Sequence, residues 1–414
     1  MSGSLYVSYD GLMEPLGQSQ ILPYVKQLAA GGIRFCLLTF EKPADLARTG
    51  EIQRLARELA DLNIRWVALR YHKAPTLAAT AWDVAHGTVR GTWMVFRHRL
   101  RTIHARSYVA ALVGAGVRAL TGRQLIFDMR GFWPEERVEG NLWPASGYLY
   151  RTSKWFEKML LRRSDAVIVL TQAARSLLAD DPYRSYVRPG VRIEVIPCCT
   201  DVSRFAPPPD ETACRERTLV YAGSVGTWYM LDEMLDFFTI AKESAPDVRL
   251  LILNRGEHGV IARAMARKGM APGDVTVRAA EFAEMPGYLR SAWAGLHFSK
   301  RAASQSGSSP TKLAEYLAAG LPVIAAGGLG DSADFIRDHQ VGVVLDGVSR
   351  DEFRDKWSAL STLVASDGKL RERCRSLAQR ELSVDYGATL YRDVYDHLWE
   401  SDQRARRYRR ANSE

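Results

Sequence analysis

The chain has no long apolar run and only five cysteines, and each feature excludes some classes of protein. No stretch reaches the roughly eighteen consecutive apolar residues that a membrane-spanning helix needs. The opening MSGSLYVSYDG lacks the basic and apolar regions of a signal peptide and predicts a first strand, so we expect a cytoplasmic chain. The five cysteines show no CxxC spacing, and the adjacent Cys198 and Cys199 have no histidine nearby. We therefore predict neither a metal site nor a disulfide framework.

Positive charge is in excess, at a formal +9, but no nucleic-acid-binding pattern accompanies it. The chain has no RNP, zinc-finger or helix-turn-helix signature. Basic residues cluster in 97–104, after the apolar TWMVF, and again in 404–410. Such runs are commonly only solvated faces. The functional alternative is attraction to anionic lipid headgroups, which would give a peripheral contact at the inner face of an anionic membrane. Because the nucleic-acid signatures are missing, we expect no nucleic-acid partner.

Strand-like and helix-like segments alternate along the whole chain. A length of 414 residues makes two domains the default expectation. Short β-branched runs such as QLIFDM, DAVIVLT, VRLLILN and PVIAA alternate with amphipathic stretches, which predicts an α/β protein with doubly wound parallel sheets. The proline-rich FAPPPDETACRER, within 203–217, predicts a linker. We predict one domain at 1–203, with 385–414 packing back on it, and a second at 204–384, facing each other across a cleft.

The segment SSPTKLAEYLAAGLPVIAA, at 308–326, places hydroxyl side chains and one lysine at a predicted helix start. Serine, threonine and Pro310 are typical of such a start, and Gly320 would end the helix. Free backbone N–H groups and the helix dipole there suit an anion, Lys312 adds a full charge, and Glu315 could accept hydrogen bonds from sugar hydroxyls. The alternative is an ordinary capped helix. A P-loop is excluded, because SGSSPTK lacks the Gly-Lys-Ser/Thr ending and precedes its strand.

This segment resembles the donor-binding segment of the nucleotide-sugar-dependent glycosyltransferases of family 4, which have the GT-B fold of two Rossmann-like domains. Other segments resemble that family in the same order along nearly the whole chain: YDGLMEPLGQSQILPYVKQLAAGG, DAVIVLTQAARSLL, VIPCCTDVSRF and EFAEMPGYLRSAWAGLHFS. The resemblance implies a second domain that binds the nucleotide sugar, a first domain on the acceptor side, and a C-terminal helix that returns to the first domain.

The resemblance also implies roles for residues of the second domain. Glu315 would bind the nucleotide ribose, and Lys312 would lie beside the diphosphate. Further donor contacts would come from Gly223, Ser224, Arg255, Ser308, Ser309, Pro310 and Thr311. Two positions depart from the family: Gly307 stands where a first glutamate is usual, and GSVGTWYML lacks the usual cation. Arg255 or the pair at 300–301 would have to substitute for that cation.

The other informative stretch, LIFDMRGFWPEE at 125–136, crowds charged residues and a tryptophan into a loop after a predicted strand. Such a loop lies at the active edge of a doubly wound sheet, and this one resembles the RDLWPE loop of some family members. We expect Asp128, Arg130 and Glu135 to be catalytic, with Asp128 or Glu135 as the acid/base group. The alternative is a surface loop around a half-buried tryptophan. Substrate contacts are expected from Trp133, from His104 and Arg106 on the same rim, and from Gly17 and Gln18 in the first glycine loop.

These patterns predict a retaining glycosyltransferase that moves a sugar from a UDP- or GDP-linked donor to a saccharide or lipid-linked acceptor, in envelope or exopolysaccharide synthesis, and that needs no cofactor. One alternative is a nucleotide-sugar epimerase of the same fold, and another is a binding module without activity. A dinucleotide oxidoreductase is a weaker alternative, because GAGVRA at 114–119 matches GxGxxA but lies within a predicted helix.

Overall fold

The structure, a computed structural model, describes residues 3–206, 217–271, 273–327 and 330–411, with side chains described as far as residue 404. Its contacts divide the chain into two units, Met1–Pro197 with Gly387–Glu414, and Cys198–Tyr386. Most of the predicted linker, and with it Cys214, falls on 207–216, outside the described residues.

The first unit is built on a seven-stranded parallel sheet in the order β3-β2-β1-β4-β5-β6-β7. Its strands follow the predicted β-branched runs, because buried strands of a parallel sheet favour such residues on both faces. They are β1 (Gly3–Ser8), β2 (Arg34–Glu41), β3 (Arg65–Arg70), β4 (Thr102–Arg106), β5 (Gln124–Asp128), β6 (Ala166–Val169) and β7 (Arg192–Val195).

The second unit has a six-stranded parallel sheet in the order β10-β9-β8-β11-β12-β13. Its strands are β8 (Thr218–Ala222), β9 (Arg249–Leu253), β10 (Val275–Arg278), β11 (Ala294–Phe298), β12 (Val323–Ala326) and β13 (Gly342–Leu345). The prediction of two doubly wound parallel sheets is therefore confirmed.

Helices connect the strands in both units. In the first unit they are α1 (Pro15–Gln20), α2 (Leu22–Ala30), α3 (Pro43–Leu46), α4 (Thr49–Asp61), α5 (Thr76–His98), α6 (Tyr108–Thr121), α7 (Trp133–Glu139), α8 (Tyr148–Arg163) and α9 (Gln172–Ala179). In the second they are α10 (Leu231–Ser244), α11 (His258–Arg267), α12 (Met285–Ser291), α13 (Thr311–Ala318), α14 (Ser332–Asp338), α15 (Arg350–Ser366) and α16 (Leu370–Glu381). The GAGVRA segment lies inside α6, as predicted, and so is not a nucleotide-binding turn.

The last helix, α17 (Val384–Ala411), returns to the first unit and packs on its sheet. Tyr391 donates a hydrogen bond of 2.9 Å to Asp128, and the indole of Trp399 donates one of 2.8 Å to Thr102. Because side chains alternate along a strand, this face carries Tyr6 and His104, whereas Leu5 packs into the apolar core on the opposite face. The C-terminal helix thus closes one face of the first sheet.

Candidate functional site

The carboxyl edge of the second sheet brings two predicted donor segments together. Helix α13 begins at Thr311, and Pro310 is its N-cap residue rather than part of its first turn. Lys312 extends from this helix start to the loop after β8, where a Cβ atom on Gly223 would lie 3.1 Å from the lysine Nζ. The Lys312 amine therefore lies where the β8 loop and the start of α13 meet.

Lys312 is buried without a charged partner. It is 8% exposed, and its Nζ has no hydrogen-bond partner among the residues that the structure describes. The amine lies 4.1 Å from the ring centroids of both Tyr221 and Tyr229. Burial lowers the pKa of Lys312 to about 7, although the charge of Glu315 acts in the opposite direction. The positive end of the helix dipole disfavours this cation further, so a bound anion would stabilise it.

The loop after β8 is held by side chains that sequence analysis missed. Glu257 accepts hydrogen bonds from the Val225 N–H, at 2.9 Å, and from the Asn254 amide, at 2.8 Å. The same amide donates to the Gly223 carbonyl at 3.0 Å. Partial burial raises the pKa of Glu257, but these hydrogen bonds outweigh it and hold the pKa below its usual value. This fixed loop presents Gly223 with a φ of 131°, a conformation that favours glycine.

Glu315 lies one turn after Lys312 and is half-buried. Burial raises its pKa to about 7, against the opposing charges of Arg204 and Lys312. Arg204, also missed by sequence analysis, donates a hydrogen bond of 2.6 Å to the Phe282 carbonyl and lies 3.5 Å from the centroid of the Phe282 ring. A cavity of about 570 Å³ is lined by Arg204 and Phe282. A carboxylate, a guanidinium and a cavity thus lie near each other on this edge.

The hydroxyl residues before α13 do not cap it, contrary to the expectation from their residue types. The Ser309 hydroxyl instead accepts a hydrogen bond of 3.0 Å from the Cys198 N–H. Ser308 follows a short 3-10 helix, Ala303–Gly307, and is half-buried. Ser224 is exposed, and its carbonyl accepts a hydrogen bond from the Tyr221 hydroxyl. Ser309 thus has a structural hydrogen bond in this unit.

A second basic side chain that sequence analysis missed lies beside Lys312. His297, on β11, is 4% exposed, and its Nδ1 has no hydrogen-bond partner within the described ranges. Burial, followed by the charge of Lys312, holds the pKa of His297 well below its usual value, so the ring is neutral. Its place inside an apolar strand gave no signal in the sequence, because buried histidines are commonly structural.

In the first unit, four predicted site residues lie together at the ends of β4 and β5. Asp128 accepts from Tyr391 and lies 3.6 Å from the His104 Nε2 and 3.7 Å from a terminal nitrogen of Arg130. Burial would raise its pKa, but the charge of Arg130, the neighbouring His104 ring and the charge of Arg106 lower it to about 2. A carboxylate with that pKa is a weak base, so the geometry does not support Asp128 as the proton acceptor.

His104 faces α17 rather than the loops of the rim. It is 1% exposed, and its Nδ1 pairs with the Tyr395 hydroxyl at 2.7 Å. Burial lowers its pKa and keeps the ring neutral. The expected substrate contact of His104 on the rim is therefore not supported, and the side chain packs as a core histidine.

The remaining residues of the 125–136 loop form a separate cluster on α7. Glu135 is ion-paired with Lys154 at 2.7 Å and accepts a hydrogen bond of 3.3 Å from the Tyr150 hydroxyl. Trp133 is half-buried and packs on Tyr108, with ring centroids 5.8 Å apart. The structure therefore does not join Glu135 and Trp133 to the Asp128 group, and Glu135 is held by a lysine that sequence analysis missed.

Gly17 and Gln18 lie in helix α1, not in the loop where they were expected. A Cβ atom on Gly17 would collide with the backbone of Gly11 and Leu12, which explains the glycine. The Gln18 amide donates a hydrogen bond of 2.7 Å to the Leu12 carbonyl. Both residues hold the first loop in place. Buried Glu41, which sequence analysis missed, holds the same loop by accepting from the Leu12 N–H at 2.7 Å.

Two sequence profiles match consecutive parts of the chain. The profile of the glycosyl transferase 4-like domain matches residues 18–199. The profile of the glycosyl transferases group 1 matches residues 216–362, which include α13 and its lysine. The chain belongs to the group 1 glycosyltransferases. Comparison with curated proteins finds no match.

Solved structures share the GT-B fold of this glycosyltransferase at low sequence identity. Sucrose-phosphate synthase from Thermosynechococcus elongatus is 15% identical, with a TM-score of 0.71 over 97% of this chain and 100% of that one. A glycosyltransferase from Rickettsia africae is 11% identical, with a TM-score of 0.70 over 96% and 98%. An Anabaena protein, HepE, solved with UDP and glucose, is 14% identical, with a TM-score of 0.68 over 97% and 100%. These likenesses establish the architecture.

The structure shows what stands at the two positions where this glycosyltransferase departs from its family. Gly307 is buried at the end of the short 3-10 helix. The loop without a cation receives the amine of Lys312. Arg255 is ion-paired with Glu281 on the surface, and Arg301 donates a hydrogen bond to the Asp346 carbonyl. Lys312, which was not one of the candidates for that cation, is the residue that the structure places against Gly223.

The described parts of the glycosyltransferase contain neither a metal-binding cluster nor a membrane-spanning helix. No group of three or more His, Cys, Asp or Glu side chains in those parts could hold a metal ion. None of the helices described is long and apolar enough to cross a membrane.

Proposed function

We propose that this glycosyltransferase is retaining and transfers a sugar from a UDP- or GDP-linked donor to a saccharide or lipid-linked acceptor. The observation that carries the proposal is the buried amine of Lys312, which has two aromatic neighbours and no hydrogen-bond partner in the described part of the chain. A cation in this state is stabilised by a diphosphate far more than by water. A role in envelope or exopolysaccharide synthesis belongs to the same proposal.

In the proposed complex the diphosphate lies against the start of α13, between Lys312 and the fixed loop at Gly223. Backbone N–H groups at the helix start would donate to it, since they have no partner within the helix. Glu315 would accept hydrogen bonds from the ribose hydroxyls. The nucleobase would enter the cavity of about 570 Å³ beside Arg204 and Phe282. Ser308, Ser309, Pro310 and Thr311 would shape this site through their backbone.

Catalysis would consist mainly of stabilising the charge that develops on the leaving diphosphate. Lys312 and the dipole of α13 supply that stabilisation where the charge develops. In the retaining reaction the acceptor oxygen forms its bond to the anomeric carbon on the face from which the donor bond breaks, and the diphosphate takes the acceptor proton. The states of Asp128 and Glu135 favour this route, because a pKa of about 2 and an ion pair with Lys154 leave neither carboxylate ready to accept a proton.

We also propose that the first unit contacts an anionic membrane through one face of α5. Exposed apolar side chains recur there at helical spacing: Trp82, Val89, Trp93 and Phe96. Beside them lies a cavity of about 780 Å³ whose lining is mostly apolar and basic, contains Asn63 and has no acidic residue; its basic members are Arg34, Arg65, Arg90 and His98. Aromatic side chains flanked by cations suit the headgroup layer of an anionic bilayer.

The deciding experiment is calorimetric binding of UDP, GDP and NADH to the wild type, Lys312→Ala and Glu315→Ala. We expect UDP or GDP to bind the wild type, and both variants to fold but to lose about a hundredfold or more in activity. Lys268→Ala is the matched control, because that lysine is ion-paired with Asp236 on α10. Normal turnover in both site variants would refute the donor site, and NADH binding untouched by them would favour an oxidoreductase. Product analysis without acceptor separates transfer from epimerisation.

A further inference from the structure

Arg106 is a buried cation that neither the fold nor the proposed donor site accounts for. It is the last residue of β4 and pairs in register with Ser8 and Asp128, the last residues of β1 and β5. The side chain is 3% exposed, and its Nε atom is covered and has no hydrogen-bond partner within the described ranges. No ion pair or hydrogen bond of the described residues involves its guanidinium. An arginine stays charged, so burial without a partner is costly to the ligand-free fold.

Arg106 lies among other charged and titratable groups near the end of β4. Arg130 adds a second guanidinium, with a side chain only 10% exposed, and Asp128 supplies one carboxylate that lies 3.7 Å from it. His104 is neutral, since burial lowers its pKa. Asp10, after β1, is half-buried and forms no ion pair with Arg106 in the described structure. Asp128 is thus the buried carboxylate beside Arg106, and it also lies beside Arg130.

The backbone at this place also suits an anion. Helix α6, 14 residues long, begins at Tyr108, two residues after Arg106, so the positive end of its dipole lies at the same sheet edge. Its N-cap residue, Ser107, has a φ of 70° and no capping hydrogen bond from its side chain. Arg130 has a φ of 64°. Strained residues that are not glycine concentrate at functional sites, because the rest of the fold must hold them.

We propose that Arg106 and Arg130 bind an oxyanion, phosphoryl or carboxylate, that the acceptor carries. The inference rests on the proposed function in one respect, the placement of the acceptor on the first unit. It narrows the acceptor to anionic molecules, such as a phosphate-linked saccharide or a saccharide with an acidic sugar. A structural role does not explain Arg106, because the side chain makes no hydrogen bond that would tie together parts of the described fold.

The test is calorimetric titration of inorganic pyrophosphate into four full-length chains: wild type, Arg106→Gln, Lys312→Met and the double variant. We expect the wild type to have two classes of pyrophosphate site. Arg106→Gln should weaken the affinity of one class at least about tenfold, and Lys312→Met should weaken the other to the same extent. Unchanged pyrophosphate binding in Arg106→Gln would overturn this inference and leave the donor site standing. Two intact sites in Lys312→Met would overturn the donor site and leave this inference standing.

Arg106→Lys keeps the experiment decisive if Arg106→Gln fails to fold. It retains the charge but not the two-pronged guanidinium, so it should fold and bind pyrophosphate at the first unit more weakly than the wild type. Glucuronate titrated into Lys312→Met identifies the source of the oxyanion. Binding of pyrophosphate alone assigns a phosphoryl group, and binding of glucuronate alone assigns a carboxylate. Binding of neither to Lys312→Met would refute the site.

Discussion

Replacing Lys312 by methionine should stabilise the ligand-free protein, although it removes the residue on which the proposed chemistry depends. Methionine keeps the length of the side chain and removes the buried charge. The pKa of Lys312 falls from 10.5 to about 7 in the folded chain. At about 1.4 kcal/mol per pKa unit, keeping this amine buried costs roughly 4 kcal/mol at pH 7. The rings of Tyr221 and Tyr229 offset about 1 kcal/mol each, which leaves a net gain of about 2 kcal/mol for Lys312→Met.

The stability difference between the wild type and Lys312→Met should depend on pH. Because folding lowers the pKa of this base, the cost is complete below the folded pKa of about 7 and disappears above the unfolded value of 10.5. The wild type should therefore gain stability relative to Lys312→Met as the pH rises from 7 towards 10.5. The advantage of the variant should be largest at or below pH 7 and should shrink by about 1.4 kcal/mol per pH unit above it.

Urea unfolding of both chains at several pH values between 6 and 9, followed by circular dichroism and fitted with one transition per unit, measures this difference. Lys268→Met is the control, because that lysine is ion-paired with Asp236 at 2.5 Å near the surface and its loss should cost under about 1 kcal/mol. A Lys312→Met chain that is less stable than the wild type at pH 7 would show that something in the fold already compensates the amine. That result would refute an anion site at Lys312.

Two further predictions concern ligands. Binding of a UDP- or GDP-linked sugar at pH 8 should take up close to one proton, about 0.9, because a diphosphate restores the charge on an amine with a pKa of about 7, whereas Glu315, with a pKa also of about 7, is already mostly ionised at pH 8. Calorimetry in buffers of different ionisation enthalpy measures this uptake, and Lys312→Met should abolish it. Trp82→Asp should weaken co-sedimentation with phosphatidylglycerol vesicles severalfold, whereas Trp155→Asp, on α8 and equally exposed at 62%, should not. Equal loss in both variants, or equal binding to phosphatidylcholine, would contradict the α5 surface.

The strands were predictable because local chemistry specifies them. Runs such as AVIV in β6 are apolar and mostly β-branched and follow polar residues, a pattern typical of strands that are buried on both faces. Helix starts were less predictable. Pro310 is the N-cap of α13 and not part of its first turn, because serine and threonine compete for the same role and one of them, Ser309, bonds elsewhere. Gly17 lies inside a helix because its place is set by close packing on Gly11, which no local pattern reveals.

The candidate sites were predictable only in their local parts. Lys312 and Glu315 stand out in the sequence because they share one helix turn. Their partners come from elsewhere in the chain, such as Arg204 for Glu315, and nothing in the local pattern of VIPCCTDVSRF marks that arginine. Asp128 and Tyr391 are 263 residues apart, so the hydrogen bond between them depends on the return of α17 and could not be read from the local sequence. The sequence identified the charged residues of the candidate sites, but it did not predict which residues they pair with.

The two aromatic neighbours of Lys312 explain how a cation can reach this loop from another helix and still serve a ligand. A carboxylate partner would neutralise the amine, and an anion would then have to compete for it. The faces of Tyr221 and Tyr229 attract the cation without accepting a hydrogen bond, so its N–H groups stay available. Any side chain at Gly223 would crowd the Nζ and Cε atoms of Lys312, at 3.1 and 3.4 Å. The loop at Gly223 and Lys312 of α13 therefore act together, and substitution at either position should remove nucleotide binding.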